Sequence, residues 1–263
     1  MNLVFDRRGS GEPLVLLHGI GSRWQAFAPV LDSLAEQFEV FAVDMPGFGA
    51  SPAPPGGVPG IAALTDGVQA WMEAKGIGGA HVAGNSMGGG VALELADRGE
   101  VASATGLAPI GFWSTPERRW AQASLTNTRT LSRLLRPLAP AINGSPVGRT
   151  LTLAQYVAKP WLLDPAEVVL DIDALLGASA FDDAHTAFSG YLAPTTAADH
   201  VPVTIVWGGK DRLLLPRQLE RARRRLPRAR HVLLPNAGHV MMSDEPEAVA
   251  AIIASGTRAP TSA

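Results

Sequence analysis

Ser86 stands in "GNSMG" (84–88), a G-x-S-x-G pattern set between the strand-like "AHVAG" and the helix-like "MGGGVALELADR". In that setting a serine occupies a sharp strand-to-helix turn and its hydroxyl rises above the carboxyl edge of a sheet. A serine hydroxyl is a poor nucleophile at neutral pH. It needs a base, and the base needs a carboxylate to orient it. Two downstream residues suit those roles: Asp211 after the strand-like "VTIVWGGK", and His239 after "HVLLPNAG". The chemistry such a set performs is nucleophilic attack on a carbonyl, with the serine proton passing to the imidazole.

An oxyanion formed by that attack needs backbone donors. Met87 N–H, directly after the serine and at a helix N-terminus, supplies one. The loop "HGIG" (18–21) closes the apolar run "PLVLL" and supplies the other from Ile20 N–H. His18 is read as a brace for this loop rather than as a base. Of the remaining histidines, His81 and His231 begin strands, and His185 and His200 have no strand-end setting. Trp24, Phe112, Trp113 and Met241 neighbour the chemical positions and are candidates to line a substrate pocket, although each also suits ordinary core.

The elements that must hold these residues are legible as short, nearly continuous apolar runs. "PLVLLHG", "FEVFAVDMPG", "GAHVAGNS", "SATGLAPIG", "VPVTIVWGGKD" and "RHVLLPNAGH" read as strands covered on both faces. Between them, 61–75 places Leu64, Val68, Trp71 and Met72 on one helical face, and 87–98 and 216–226 also read as helices. Strands alternating with helices predict a doubly wound, mostly parallel α/β sheet.

The alternation stops between 112 and 195. Helical patterns at 116–136, 150–158, 165–176 and 179–190 replace it, and half of the chain's sixteen aromatic residues fall there. The expected organisation is a core of 1–111 and 196–263 with a helical cap of 112–195. The arginine-rich "RQLERARRRLPRAR" (217–230) reads as a helix with its arginines on a solvated face, because Leu219, Ala222 and Leu226 take the other face. The tail "GTRAPTSA" is expected to fray.

The totals narrow the function classes. The 263 residues are 46% hydrophobic and 17% charged, enough for a large buried core. Without cysteine there is no thiol catalysis, disulfide scaffold or thiolate metal site. A net charge of −2 gives no footprint for nucleic acid. The Leu14–Leu17 run is far too short to span a bilayer, and the N-terminus lacks the pattern of a signal peptide. A cytoplasmic protein with no nucleic-acid or membrane partner is the expectation; oligomeric state is not readable.

Along nearly its whole length the chain resembles the α/β-hydrolase fold family. The matching elements are "HGIG", "DMPGFGAS" (44–51), "GNSMGG" (84–89), "GGKDRLLLP" (208–216) and "AGHVMMSDEPEAV" (237–249). The order Ser86, Asp211, His239 is that of the family's triad. The resemblance implies a serine hydrolase with a helical cap and no metal or organic cofactor, acting on a small-molecule carboxylic ester or lactone. Asp44 matches a loop position that is structural in the family. Relatives with a carboxylate nucleophile are disfavoured by Ser86. "GNSMGG" is similar to the elbow of meta-cleavage-product hydrolases, which break carbon–carbon bonds. Those enzymes usually carry a longer Gly-Pro-rich loop after the first HG and a tryptophan after the histidine, where this chain has "HGIGSRWQAF" and Val240. A hydrolase-fold ligand-binding protein is the other alternative.

Overall fold

The six apolar runs form six strands, and a seventh strand precedes them. The computed structural model describes residues 2–54, 56–57 and 60–258. The strands are β1 (Phe5–Arg8), β2 (Glu12–Leu17), β3 (Phe38–Val43), β4 (His81–Asn85), β5 (Ser103–Leu107), β6 (Val203–Gly208) and β7 (Arg230–Leu234). They make one sheet of order β1-β3-β2-β4-β5-β6-β7. Every pairing is parallel except that of β1 with β3. All residues of β4, β5 and β6 are buried, which is why their sequences are apolar or small apart from His81 and Asn85, whose side chains are hydrogen-bonded.

β1 departs from the sequence expectation. "FDRR" has one apolar residue, because an antiparallel edge strand needs only one face covered and charged residues protect its open edge. Register Phe5↔Val43 fixes it, and Phe5 packs edge-on against Trp71.

The helices beside the sheet are α1 (Ala28–Ala35), α2 (Ile61–Ala74) and α3 (Met87–Asp97). The helical stretch between β5 and β6 contributes α4 (Thr115–Leu135), α5 (Ala139–Asn143), α6 (Pro146–Leu153), α7 (Pro165–Gly177), α8 (Phe181–Ala187) and α9 (Ala197–His200). The C-terminal part adds α10 (Gln218–Arg225), α11 (Met241–Asp244) and α12 (Pro246–Gly256). α1 packs with α12, and α2 with α3, so the sheet is covered in two layers. α1 and α12 were not among the expected helices; each begins with a proline in its first turn and buries an apolar face. The helix expected at 150–158 lies earlier, at Pro146–Leu153, because Ser145 caps it by accepting the Gly148 N–H. Of the tail expected to fray, Gly256 ends α12 and residues 259–263 lie outside the described residues.

The arginine-rich segment is only partly solvated. Arg217, Arg221 and Arg225 recur every four residues, so α10 presents all three on one face. That face meets the stretch after β5, with Arg221 and Arg225 partly buried there and Arg217 still largely exposed. Arg217 Nε donates to Glu117 Oε1 at 2.5 Å, Arg221 donates to Glu117 and to the Phe112 carbonyl, and Arg225 donates to the Ala193 carbonyl. Glu117 is buried and closes a capping box with Ser114 at the start of α4. Arg223 and Arg224 keep the solvated position expected of them.

Candidate active site

Ser86 caps α3 with φ 56° and ψ −113°, a left-handed conformation for a residue with a Cβ. The conformation is held from several sides. Ser86 N–H donates to the Leu107 carbonyl, and the Ser86 carbonyl accepts Gly90 N–H and Ile110 N–H. A Cβ on Gly84 would lie 2.1 Å from the Gly88 carbonyl oxygen, and one on Gly88 would lie 2.1 Å from the Leu17 oxygen. Strand, turn and loop therefore approach too closely there for any side chain.

His239 and Asp211 meet at the ends of neighbouring strands. Asp211 follows β6 and His239 follows β7; His239 Nδ1 donates to Asp211 Oδ2 at 2.7 Å, with both side chains buried. Asp211 Oδ1 accepts Leu213 N–H at 2.9 Å and Leu214 N–H at 2.8 Å, which fixes the plane of the carboxylate. With its proton on Nδ1, the imidazole carries a lone pair on Nε2.

Asn85, for which the sequence suggests no role, ties the serine turn to this pair. Its side-chain amide donates to the Leu107 carbonyl and to the His239 carbonyl, each at 3.0 Å. Among the described residues no hydrogen bond joins the Ser86 hydroxyl directly to His239. Such contacts commonly tighten only with substrate bound.

The "HGIG" loop lies against the same turn. Gly88 N–H donates to the His18 carbonyl, and a Cβ on Gly19 would touch Ser86 Cβ at 3.4 Å. Ile20 N–H and Met87 N–H have no hydrogen-bond partner among the described residues, so both donors are available. His18 is fully buried: its Nδ1 donates to the Gly19 carbonyl at 2.7 Å and its Nε2 accepts Met45 N–H at 3.0 Å. Burial pushes the His18 pKa down, which keeps the ring neutral in this bracing position. Asp44 accepts Trp24 N–H and Ala50 N–H and so holds the next loop.

The candidate pocket residues have separate surroundings. Trp24 is half-buried against the core. Phe112 packs edge-on to Trp207, and Trp113 lies against Phe188 with its indole donating to the Tyr191 carbonyl. Met241 is fully buried in the core at the start of α11. His81, by contrast, bonds Ser103 and Glu12, and His185 stacks on Phe181, both away from the Asp211–His239 pair.

A further acid, Asp244, joins the histidine loop to the helical stretch. Its Oδ2 accepts Gly238 N–H and Ala158 N–H, and its Oδ1 accepts Lys159 N–H, all within 2.9 Å. Val240 N–H also donates to the Tyr156 carbonyl. Neither link has a local sequence signal, because the partners lie more than 80 residues apart. Among the described residues no group of three or more histidines and acids is placed to hold a metal ion, and no helix is long and apolar enough to cross a membrane.

Comparison with known proteins bears on the fold and on the class of chemistry. Lipase 3 of Moraxella sp. (strain TA144) is 27% identical over 241 residues, covering 89% of this chain and 73% of that protein. The chain spans 61–75% of the length of the first curated relatives it matches. A solved bacterial membrane phospholipase A is 26% identical with a TM-score of 0.76, covering 97% of this chain and 83% of that one. An esterase from Thermogutta terrifontis superposes with a TM-score of 0.73 at 24% identity, over 96% and 92% of the two chains, and speaks for the fold alone. The lipase and the phospholipase support hydrolase chemistry. The family model for the alpha/beta hydrolase family matches residues 14–252, and the chain belongs to that family.

Proposed function

We propose that the chain is a serine hydrolase that cleaves a small or medium, partly apolar carboxylic ester or lactone through an acyl-enzyme on Ser86. The observation that carries this reading is the buried His239–Asp211 hydrogen bond, tied through Asn85 to a serine in a left-handed turn. His239 Nε2 takes the Ser86 proton as Oγ attacks the carbonyl carbon. Asp211 holds the imidazole and stabilises the imidazolium, and Ile20 N–H and Met87 N–H receive the oxyanion. His239 then gives its proton to the departing alkoxide. A water, deprotonated by His239, attacks the acyl carbon, and His239 returns that proton to Ser86 Oγ as the acyl–oxygen bond breaks and the acid leaves.

In this reading 112–195 is a cap, and Trp24, Phe112, Trp113 and Met241 border the acyl site. The lipase and phospholipase relatives act in the same direction, since their names describe ester cleavage. The test is turnover of p-nitrophenyl acyl esters with covalent labelling by an acyl-phosphonate probe. The parent turns over the ester and is labelled at Ser86. Ser86→Ala loses labelling and at least about 10³-fold in kcat. Turnover by Ser86→Ala at the parental rate overturns the assignment.

A further inference from the structure

The stretch after β5 has an outer face unlike the rest of the molecule. Pro146, Val147, Leu151 and Trp161 line a shallow apolar cleft of about 240 Å³ between α6 and the turn Pro160–Leu162. Val147, Leu151 and Leu162 are 69, 82 and 69% exposed, as if nothing of this chain were meant to cover them. The cleft continues to Lys210 and Arg212, and Trp120, itself half exposed, donates its indole N–H to the Arg212 carbonyl. Two tryptophans thus flank a pair of cations at the edge of an apolar surface.

Charge is segregated along this stretch: 115–163 contains seven lysines or arginines and one acid, Glu117, whereas 164–195 contains six acids and no lysine or arginine, so 112–195 as a whole is balanced. Arg129 and Arg136 are taken by Asp182 and Asp173. Lys210 and Arg212, which line the cleft, are exposed and have no ion-pair partner among the described residues. An apolar surface rimmed by cations and tryptophan is the arrangement that seats in the headgroup region of an anionic bilayer. A second copy of the chain is the weaker match, because a self-complementary contact would bring these unpaired cations against each other.

We propose that this face docks peripherally on an anionic lipid surface. The absence of a long apolar run excludes a spanning helix but not a docking face, which needs only exposed side chains on folded helices. Docking there sets the membrane beside the catalytic loops, since Arg212 follows Asp211 and the backbone at Tyr156–Lys159 is bonded to the His239 loop. The proposal stands apart from the ester-hydrolase reading, because binding is measured without turnover.

The test is co-flotation of the full chain with phosphatidylcholine vesicles, with and without phosphatidylglycerol, at low and high salt. The parent floats with the anionic vesicles, binds pure phosphatidylcholine weakly, and loses binding by about fivefold for each cation screened. Val147→Ser/Leu151→Ser lowers partitioning at least about tenfold, and Lys210→Glu/Arg212→Glu does the same, with thermal unfolding unchanged in both. Equal flotation of parent and both variants overturns the proposal, as does failure of the parent to bind either vesicle. A dimer in sedimentation velocity that Val147→Ser/Leu151→Ser dissolves would also overturn it and assign the face to a second copy.

Discussion

Asn85 is the residue whose removal separates the chemistry from its positioning. Among the described residues its amide is the one side-chain hydrogen bond between the Ser86 turn and the His239 backbone, across 154 positions of sequence. Asn85→Ala leaves the Leu107 and His239 carbonyls without that donor and lets the histidine loop shift relative to the nucleophile. In the proposed reaction kcat falls by about 10–100-fold while KM changes little, because a small displacement of a base costs the transition state more than it costs binding. A steady-state comparison on a p-nitrophenyl ester checks this; a rise in KM at unchanged kcat would place Asn85 in substrate binding instead. The three residues assigned to the proposed reaction are each marked in the sequence by a preceding apolar run and a turn. Asn85 is not, because its partners are backbone carbonyls that no side-chain pattern marks.

At the level of elements, the join between α4 and α10 depends on Glu117. Burial raises the carboxyl pKa, but hydrogen bonds from Arg221, Ser114 and Arg217 outweigh it and leave the value at about 2, against 4.5 for a free glutamate. A depressed acid contributes stability that is complete above 4.5 and lost as pH falls through 4.5 toward 2. Glu117→Gln should therefore cost about 2 kcal/mol at neutral pH, and its deficit should shrink as pH is lowered from 5 toward 3. Denaturant unfolding of parent and variant over that range measures both. A deficit independent of pH would show that shape rather than charge matters at this position. The sequence reading of 217–230 fails at this join for a physical reason. Periodicity separates the apolar face of α10 from its polar face, but it cannot tell whether a polar face meets water or a buried acid from 100 residues away. β1 was hidden differently: a single apolar residue in four carries no period.

For the molecule as a whole, the central strands were legible because burial on both faces writes itself into consecutive residues, as in "VTIVWG". The contacts that close the structure were not legible, among them Asp244 bridging the histidine loop to the backbone at 158–159. They are long-range hydrogen bonds to main-chain groups and depend on the finished fold. The turn at Ser86 has a global consequence of its own. Its positive φ belongs to glycine, so every folded copy carries a local conformational penalty of about 1–3 kcal/mol that the sheet, α3 and the "HGIG" loop together must hold in place. Ser86→Gly should relax it and melt higher than Ser86→Ala, which keeps the Cβ and the strain; calorimetry of the two variants compares them directly. Equal or inverted melting temperatures would mean that the surrounding backbone had already absorbed the penalty. On this account the substitution that makes the fold more durable also removes the group proposed to react, and thermal selection acting alone would drive this chain away from the proposed chemistry.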